Sequence, residues 1–169
     1  EKLNYIMGNP PFVGARLMSI LQKQDVSRIF NGWKNAGNLD YVACWYKKAA
    51  DYITGTSIKV ALVSTNSVSQ GDAVPTLWKP LFKENININF AYQTFVWDSE
   101  ASAKAHVHCV IIGFSKTKTK DETTGCKKIF SNGSVISAEH INAYLLNADD
   151  VFIENRSNPL CDVPKMGIG

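Results

Sequence analysis

Apolar and polar positions alternate along this chain in two distinct rhythms. "LNYIMG" (Leu3 to Gly8) is a short apolar run that ends in glycine and proline, which predicts a strand leading into a loop. From Ala15 to Phe30 the apolar residues fall at 17, 20, 21, 26, 29 and 30, a helical spacing. "LDYVACWYKKAADYI" (Leu39 to Ile53) predicts a second helix, stopped by Thr54-Gly55. "IKVALVS" (Ile58 to Ser64) is a continuous apolar run, as in strands buried on both faces. A helix interrupted by Pro75 and Pro80 is expected over Gly71 to Asn85. "ININFAYQ" (Ile86 to Gln93) alternates, and "VHCVIIGFS" (Val107 to Ser115) is again continuous, so both read as strands.

The order of these elements predicts an α/β fold whose last two strands have no helix between them. They are joined by "TFVWDSEASAKAH", a loop long enough to carry function. Beyond Ser115 the character changes. Lys116, Lys118, Lys120, Lys127 and Lys128 lie in a polar stretch that reads as a linker or exposed hairpin. "KIFSNGSVIS" fits a hairpin around Asn132-Gly133. "SAEHINAYLL" (Ser137 to Leu146) fits a helix capped by Ser137, and the remainder is irregular. The reading divides the chain into residues 1–115, an α/β unit, and 116–169, a linker with a small irregular α+β segment.

Composition narrows the class only a little. The 169 residues carry 18 Lys+Arg against 15 Asp+Glu, a net charge of +3, too weak by itself to imply nucleic acid. Four cysteines occur with no C-x-x-C spacing, and Cys44 and Cys109 lie in apolar runs, which points to a reducing, cytoplasmic setting. No apolar run is long enough to span a membrane. The chain starts just before a strand and stops without a terminating element, as expected for a piece of a longer protein.

The stretch that carries chemistry is "GNPPFVG", Gly8 to Gly14. The exocyclic amine of adenine is a poor nucleophile, because its lone pair is delocalised into the ring. Two acceptors taking its N–H bonds would localise that pair toward an incoming methyl group. The Asn9 side-chain oxygen and the Pro10 carbonyl are two such acceptors. Pro10 and Pro11 bring no competing N–H and stiffen the turn. Phe12 can stack on the base, or it can return to the core. Such catalysis is positioning and electrostatics, without a covalent intermediate. A metal at "HVHC" (His106 to Cys109) would lack a second ligand pair, and no Pro-Cys exists for a cysteine-dependent cytosine methyltransferase.

"YIMGNPPFVG" resembles the catalytic motif of amino-group DNA methyltransferases. With "LDYVACWYKKAADYI", "IKVALVSTNSVSQG", "VPTLWKPLF" and "FVWDSEASAKAHVHCVIIGF" in this order, nearly the whole chain resembles MmeI-like bacterial restriction–modification enzymes. The resemblance implies N6-adenine methylation of double-stranded DNA with S-adenosyl-L-methionine. It makes Asn9, Pro10, Pro11 and Phe12 the base-holding loop, with Asn9 also beside the cofactor. It sets Asp40 on the cofactor side, where the alternative is a helix-start acid complementing the dipole. It brings Trp97 near the extruded base, where the alternative is an anchor for its loop. The tail "INAYLLNADDVFIENRSNPLCDVPKMGIG" resembles the entry to the family's DNA target-recognition module, which makes residues 116–169 a linker and the start of that module, with Arg156 and Lys165 as candidates for DNA contact. Lys116 and Lys118 can touch phosphates, or they belong to a solvated loop. The family's Rossmann-like sheet runs 3-2-1-4-5-7-6, so this chain would supply strands 4-5-7-6, with strand 7, the last in sequence, antiparallel to its neighbours. No F-x-G-x-G is present, so the main cofactor loop is expected upstream, in the missing N-terminal half. The isolated chain is then expected to be inactive and to bind cofactor weakly, or to self-associate through an exposed sheet edge. Methylation of RNA guanine amines or of a protein glutamine amide, and a non-catalytic DNA-binding module, are the other readings of the motif.

Overall fold

A computed structural model describes residues 3–97, 107–116, 126–154 and 161–162. One six-stranded sheet organises them. Its strands are β1 (Tyr5–Gly8), β2 (Lys59–Thr65), β3 (Ile86–Trp97), β4 (Val107–Lys116), β5 (Lys127–Ser131) and β6 (Ser134–Ala138). The helices are α1 (Ile20–Ile29), α2 (Ala43–Tyr52) and α3 (Ala73–Lys83). Across the sheet the order is β1-β2-β4-β3-β5-β6. β1 pairs parallel with β2, whereas β4 runs antiparallel between β2 and β3. These four strands reproduce the expected 4-5-7-6 arrangement. The β5–β6 hairpin continues the same sheet, with β5 parallel to β3.

Each helix starts and stops for a local reason. Ser19 caps α1 by accepting from the Gln22 amide at 3.3 Å, while the Gln22 side chain accepts from the Ser19 amide at 2.9 Å. This reciprocal pair sets the start at Ile20, later than the apolar spacing alone implies. In α3, Pro75 falls in the first turn, where its missing N–H costs nothing, and Pro80 sits inside the helix. That penalty is offset by burial of Leu77, Trp78 and Leu81.

Helices α2 and α3 cover one face of the sheet. Val60, Leu62, Ile112, Phe114, Ile86 and Ile88 are buried beneath them. At the centre, Tyr46 of α2 stacks on Phe114 of β4 at 5.6 Å and meets Trp78 of α3 edge-on at 5.4 Å. Trp78 Nε1 donates to the Val68 carbonyl at 2.8 Å, and the Tyr46 hydroxyl bonds Ser64 Oγ. Both polar tips therefore have partners, as buried polar atoms require. The opposite face has no helix over it among the described residues. It shows Tyr5 and Met7 of β1, exposed by 64% and 80%, then half-buried Val63, Ile111, Phe90, Tyr92 and Phe130.

One expected element does not form. The helix over Ser137 to Leu146 is replaced by strand pairing of Ser137 and Ala138 with β5, followed by turns. The buried Asn142 takes the backbone away from a helix. Its Oδ1 accepts from the Tyr144 amide at 3.0 Å and the Leu146 amide at 3.1 Å. Leu145 is held at φ 62, which no helix allows. The Asn132-Gly133 hairpin forms as read, with φ 47 and 77 at its two turn residues. β3 runs on past Gln93 to Trp97 through an irregularity between Tyr92 and Phe95, because β4 continues to pair with it.

Candidate active site

Strands β1, β2, β3 and β5 all point the same way, so their carboxyl ends share one edge of the sheet. In open α/β sheets that edge is where ligands bind. The Asn-Pro-Pro-Phe loop leaves β1 here, and a short 3-10 turn (Asn66–Ser69) leaves β2 beside it.

Within the loop, Asn9 and Pro11 are exposed and Pro10 is buried. Phe12 is half-buried and packs against the core. The core contact is therefore present, and the residue is not fully enclosed. The loop is then pinned by Asp40. Asp40 Oδ1 accepts from the Ala15 amide at 3.0 Å, and Oδ2 accepts from Ser67 Oγ at 2.6 Å. Thr65 Oγ1 bonds Ser67 Oγ at 2.8 Å and reaches Asp40 Oδ2 at 3.5 Å. The Tyr41 amide donates to the Val13 carbonyl at 2.8 Å. One carboxylate thus joins the segment after the prolines to the end of β2. Charge-assisted bonds of this kind are stronger than neutral ones. Gly14 lies close to this carboxylate, since a Cβ on it would stand 3.7 Å from Asp40 Oδ1.

A second acid braces the same segment. Asp25 of α1 accepts from the Tyr41 hydroxyl at 2.9 Å and from Arg28 at 2.6 Å. The bond to Asp25 raises the Tyr41 phenol above its ordinary value. Tyr41 also meets Trp45 edge-on at 5.1 Å.

The other sequence candidates separate. Trp97 ends β3 at the same edge as the loop, 48% exposed, 6.4 Å from the Phe95 ring. Lys116 ends β4, which runs the other way, so it lies at the opposite edge of the sheet. There its ammonium bonds Thr54 Oγ1 at 3.1 Å and lies 3.9 Å from Glu84. Lys118, Arg156, His106 and Lys165 lie outside the described residues. Thr65 and Ser67 were missed by sequence reasoning. The signal was available: "STNS" places hydroxyls and an amide directly after a buried strand.

Residues 1–129 of the 169 match the family described as MmeI, DNA-methyltransferase domain. The chain belongs to this family. It is 40% identical, over 98% of its length, to DNA methyltransferase A of Bacillus subtilis (strain 168), and covers 18% of that protein. It is also similar to the solved structure of the Type IIL restriction-modification enzyme MmeI in complex with DNA. That match has a TM-score of 0.86 and 43% identity, over 95% of this chain and 22% of the MmeI chain. The chain thus spans about a fifth of the length of these relatives. Family membership agrees with the sheet order and with a loop built at the carboxyl end of its first strand.

Proposed function

We propose that this chain is the catalytic half of a DNA adenine N6-methyltransferase of a restriction–modification system, working within a longer polypeptide. The observation that carries the reading is the Asn-Pro-Pro-Phe loop at the carboxyl end of β1, fixed by Asp40, in a chain of the MmeI methyltransferase family.

The donor set fits the acceptor side of the reaction. Asn9 is exposed and carries a carboxamide oxygen, and the buried Pro10 carries a carbonyl; in this reading both accept from the adenine amine. Neither proline can donate a competing bond. Phe12, only half-buried, would stack on the base once the nucleotide has left the duplex. Trp97, at the same edge, would flank that base. S-adenosyl-L-methionine would supply an electrophilic methyl group on its sulfonium. Asn9 is the residue here that would lie beside it. The glycine-rich loop that such a cofactor needs is missing from this sequence, and in our reading the rest of the polypeptide brings it. Asp40 spends its oxygens on Ala15, Ser67 and Thr65, which supports a positioning role. Asp40 would then act on the base through the loop rather than by gripping the cofactor.

The partners in this reading are double-stranded DNA and the remainder of the polypeptide, in the cytoplasm. Without that remainder, a second copy of the chain would pair at the β1 edge. Among the described residues no helix is long and apolar enough to cross a membrane. The test is to incubate the full-length protein with DNA and methyl-labelled S-adenosyl-L-methionine, then to digest the DNA and identify the labelled nucleoside. The expected product is N6-methyladenine. Label in RNA guanine or in protein glutamine instead would replace this reading with one of the others.

A further inference from the structure

A cleft lies on the same edge of the sheet as the Asn-Pro-Pro-Phe loop. It encloses about 440 Å³, between Gln70 after β2, Gln93 and Thr94 of β3, Ser131 and Asn132 at the end of β5, and Tyr144 beyond β6. Gln70 is three residues past Ser67, which shares Asp40 with the clamp loop. The cleft and the clamp are therefore built on consecutive parts of one frame.

Among the described residues the lining carries no Lys, Arg, Asp or Glu, and consists mainly of carboxamides and hydroxyls, with Leu145 beside them. A phosphate track would call for cations. Carboxamides and hydroxyls instead match base edges, where each presents a donor and an acceptor. The walls are also firmly built. Gln93 Nε2 donates to the Leu145 carbonyl at 2.9 Å, which fixes its amide. Leu145 itself sits at φ 62, a left-handed conformation that is costly for leucine. Asn142, 5% exposed, holds it there through its bonds to the Tyr144 and Leu146 amides and a third to the Asp149 carbonyl at 3.2 Å. A strained residue braced by a buried polar hub is a feature expected at a binding surface.

We propose that this cleft receives base edges of double-stranded DNA next to the extruded nucleotide, and so contributes to sequence discrimination. The proposal rests on the methyltransferase reading and adds to it a contact site outside the clamp.

The test uses the full-length protein carrying Gln70→Ala and Thr94→Ala, both exposed positions. The probe is a duplex containing its mapped methylation site, beside duplexes with single base-pair changes around the target adenine. Affinity for the intact site should fall by about tenfold or more, and discrimination should vanish at one or two neighbouring base pairs. The salt dependence of binding should stay the same, since no phosphate contact is removed. Thr94→Trp, which fills the cleft, should weaken duplex binding while leaving cofactor affinity intact. Affinity and discrimination equal to those of the unaltered protein would overturn the proposal, as would a reduced salt slope. If the unaltered protein methylates DNA and these variants do the same with equal selectivity, only the cleft assignment fails. If the unaltered protein neither binds nor methylates DNA, the function and the cleft fall together.

Discussion

The two faces of the sheet are built from the same strands and treated very differently. Beneath α2 and α3, Phe114, Ile112, Leu62 and Ile88 are almost wholly buried, and the Tyr46–Trp78–Phe114 cluster closes over them. On the other face Tyr5 and Met7 are largely open, and the aromatic row is only half covered. There Tyr92 and Phe130 stack at 5.9 Å, and Phe90 lies over Gly113, where a Cβ would collide with its ring. The open face thus covers itself with its own rings, while the closed face is covered by helices. Among the described residues β1 has no strand on its outer side, and an open apolar face beside such an edge is the kind of surface that other chain segments cover. We propose that the rest of a longer polypeptide lies there, which would also bring the missing cofactor loop to the clamp.

This contrast can be broken by substitution, and the largest effect should come from the closed face. Trp78→Ala removes the centre of the helical layer and the bond to Val68, and should cost about 3–5 kcal/mol in a denaturant titration. Gly113→Ala tests whether the open face is packed at all. Displacing Phe90 should cost about 1–3 kcal/mol, whereas no change would mean that the ring moves freely aside. Tyr46→Phe leaves Ser64 buried without its partner, for about 1–2 kcal/mol. It should also alter the alkaline limb of stability. Burial raises the Tyr46 phenol well above its ordinary value of 10.0, and pushes the Cys44 thiol up to about 11. Each group is held protonated in the fold, so its stabilising contribution is complete below its ordinary value and declines as pH rises above it. The variant should lose the tyrosine part of that decline and keep the cysteine part.

The smallest effect belongs to Tyr5→Ser and Met7→Ser. In this chain alone they should change unfolding stability by no more than about 0.5 kcal/mol, because these side chains already face water. In a longer polypeptide that covers the face, each should cost about 1.5–3 kcal/mol. Equal costs in both settings would contradict the proposal that the face is covered.

Much of the fold was legible because it rests on local pattern. Continuous apolar runs gave the central strands, and Asn132-Gly133 gave the hairpin through its two left-handed turn positions. The false helix at Ser137 to Leu146 shows the limit of that method. Its apolar spacing was adequate, but the Asn142 side chain competed for the same backbone groups. The Asn-Pro-Pro-Phe loop was legible as a motif, since it is four consecutive residues after an apolar run. Its support was not. Asp40 is 25 residues from Ala15 and 27 from Ser67, so only the folded sheet brings them together. Phe12 makes the core contact that one of its two readings expected, and is half-buried.

The central claim is that Asn9 accepts from the target amine in a loop held by Asp40. The most direct measurement is single-turnover methyl transfer to duplex DNA by full-length protein, comparing Asn9→Ala with the unaltered enzyme under saturating cofactor. The account predicts a fall of about a hundredfold or more in the rate of transfer, with cofactor and duplex affinities little changed. Transfer at an undiminished rate by Asn9→Ala would contradict it.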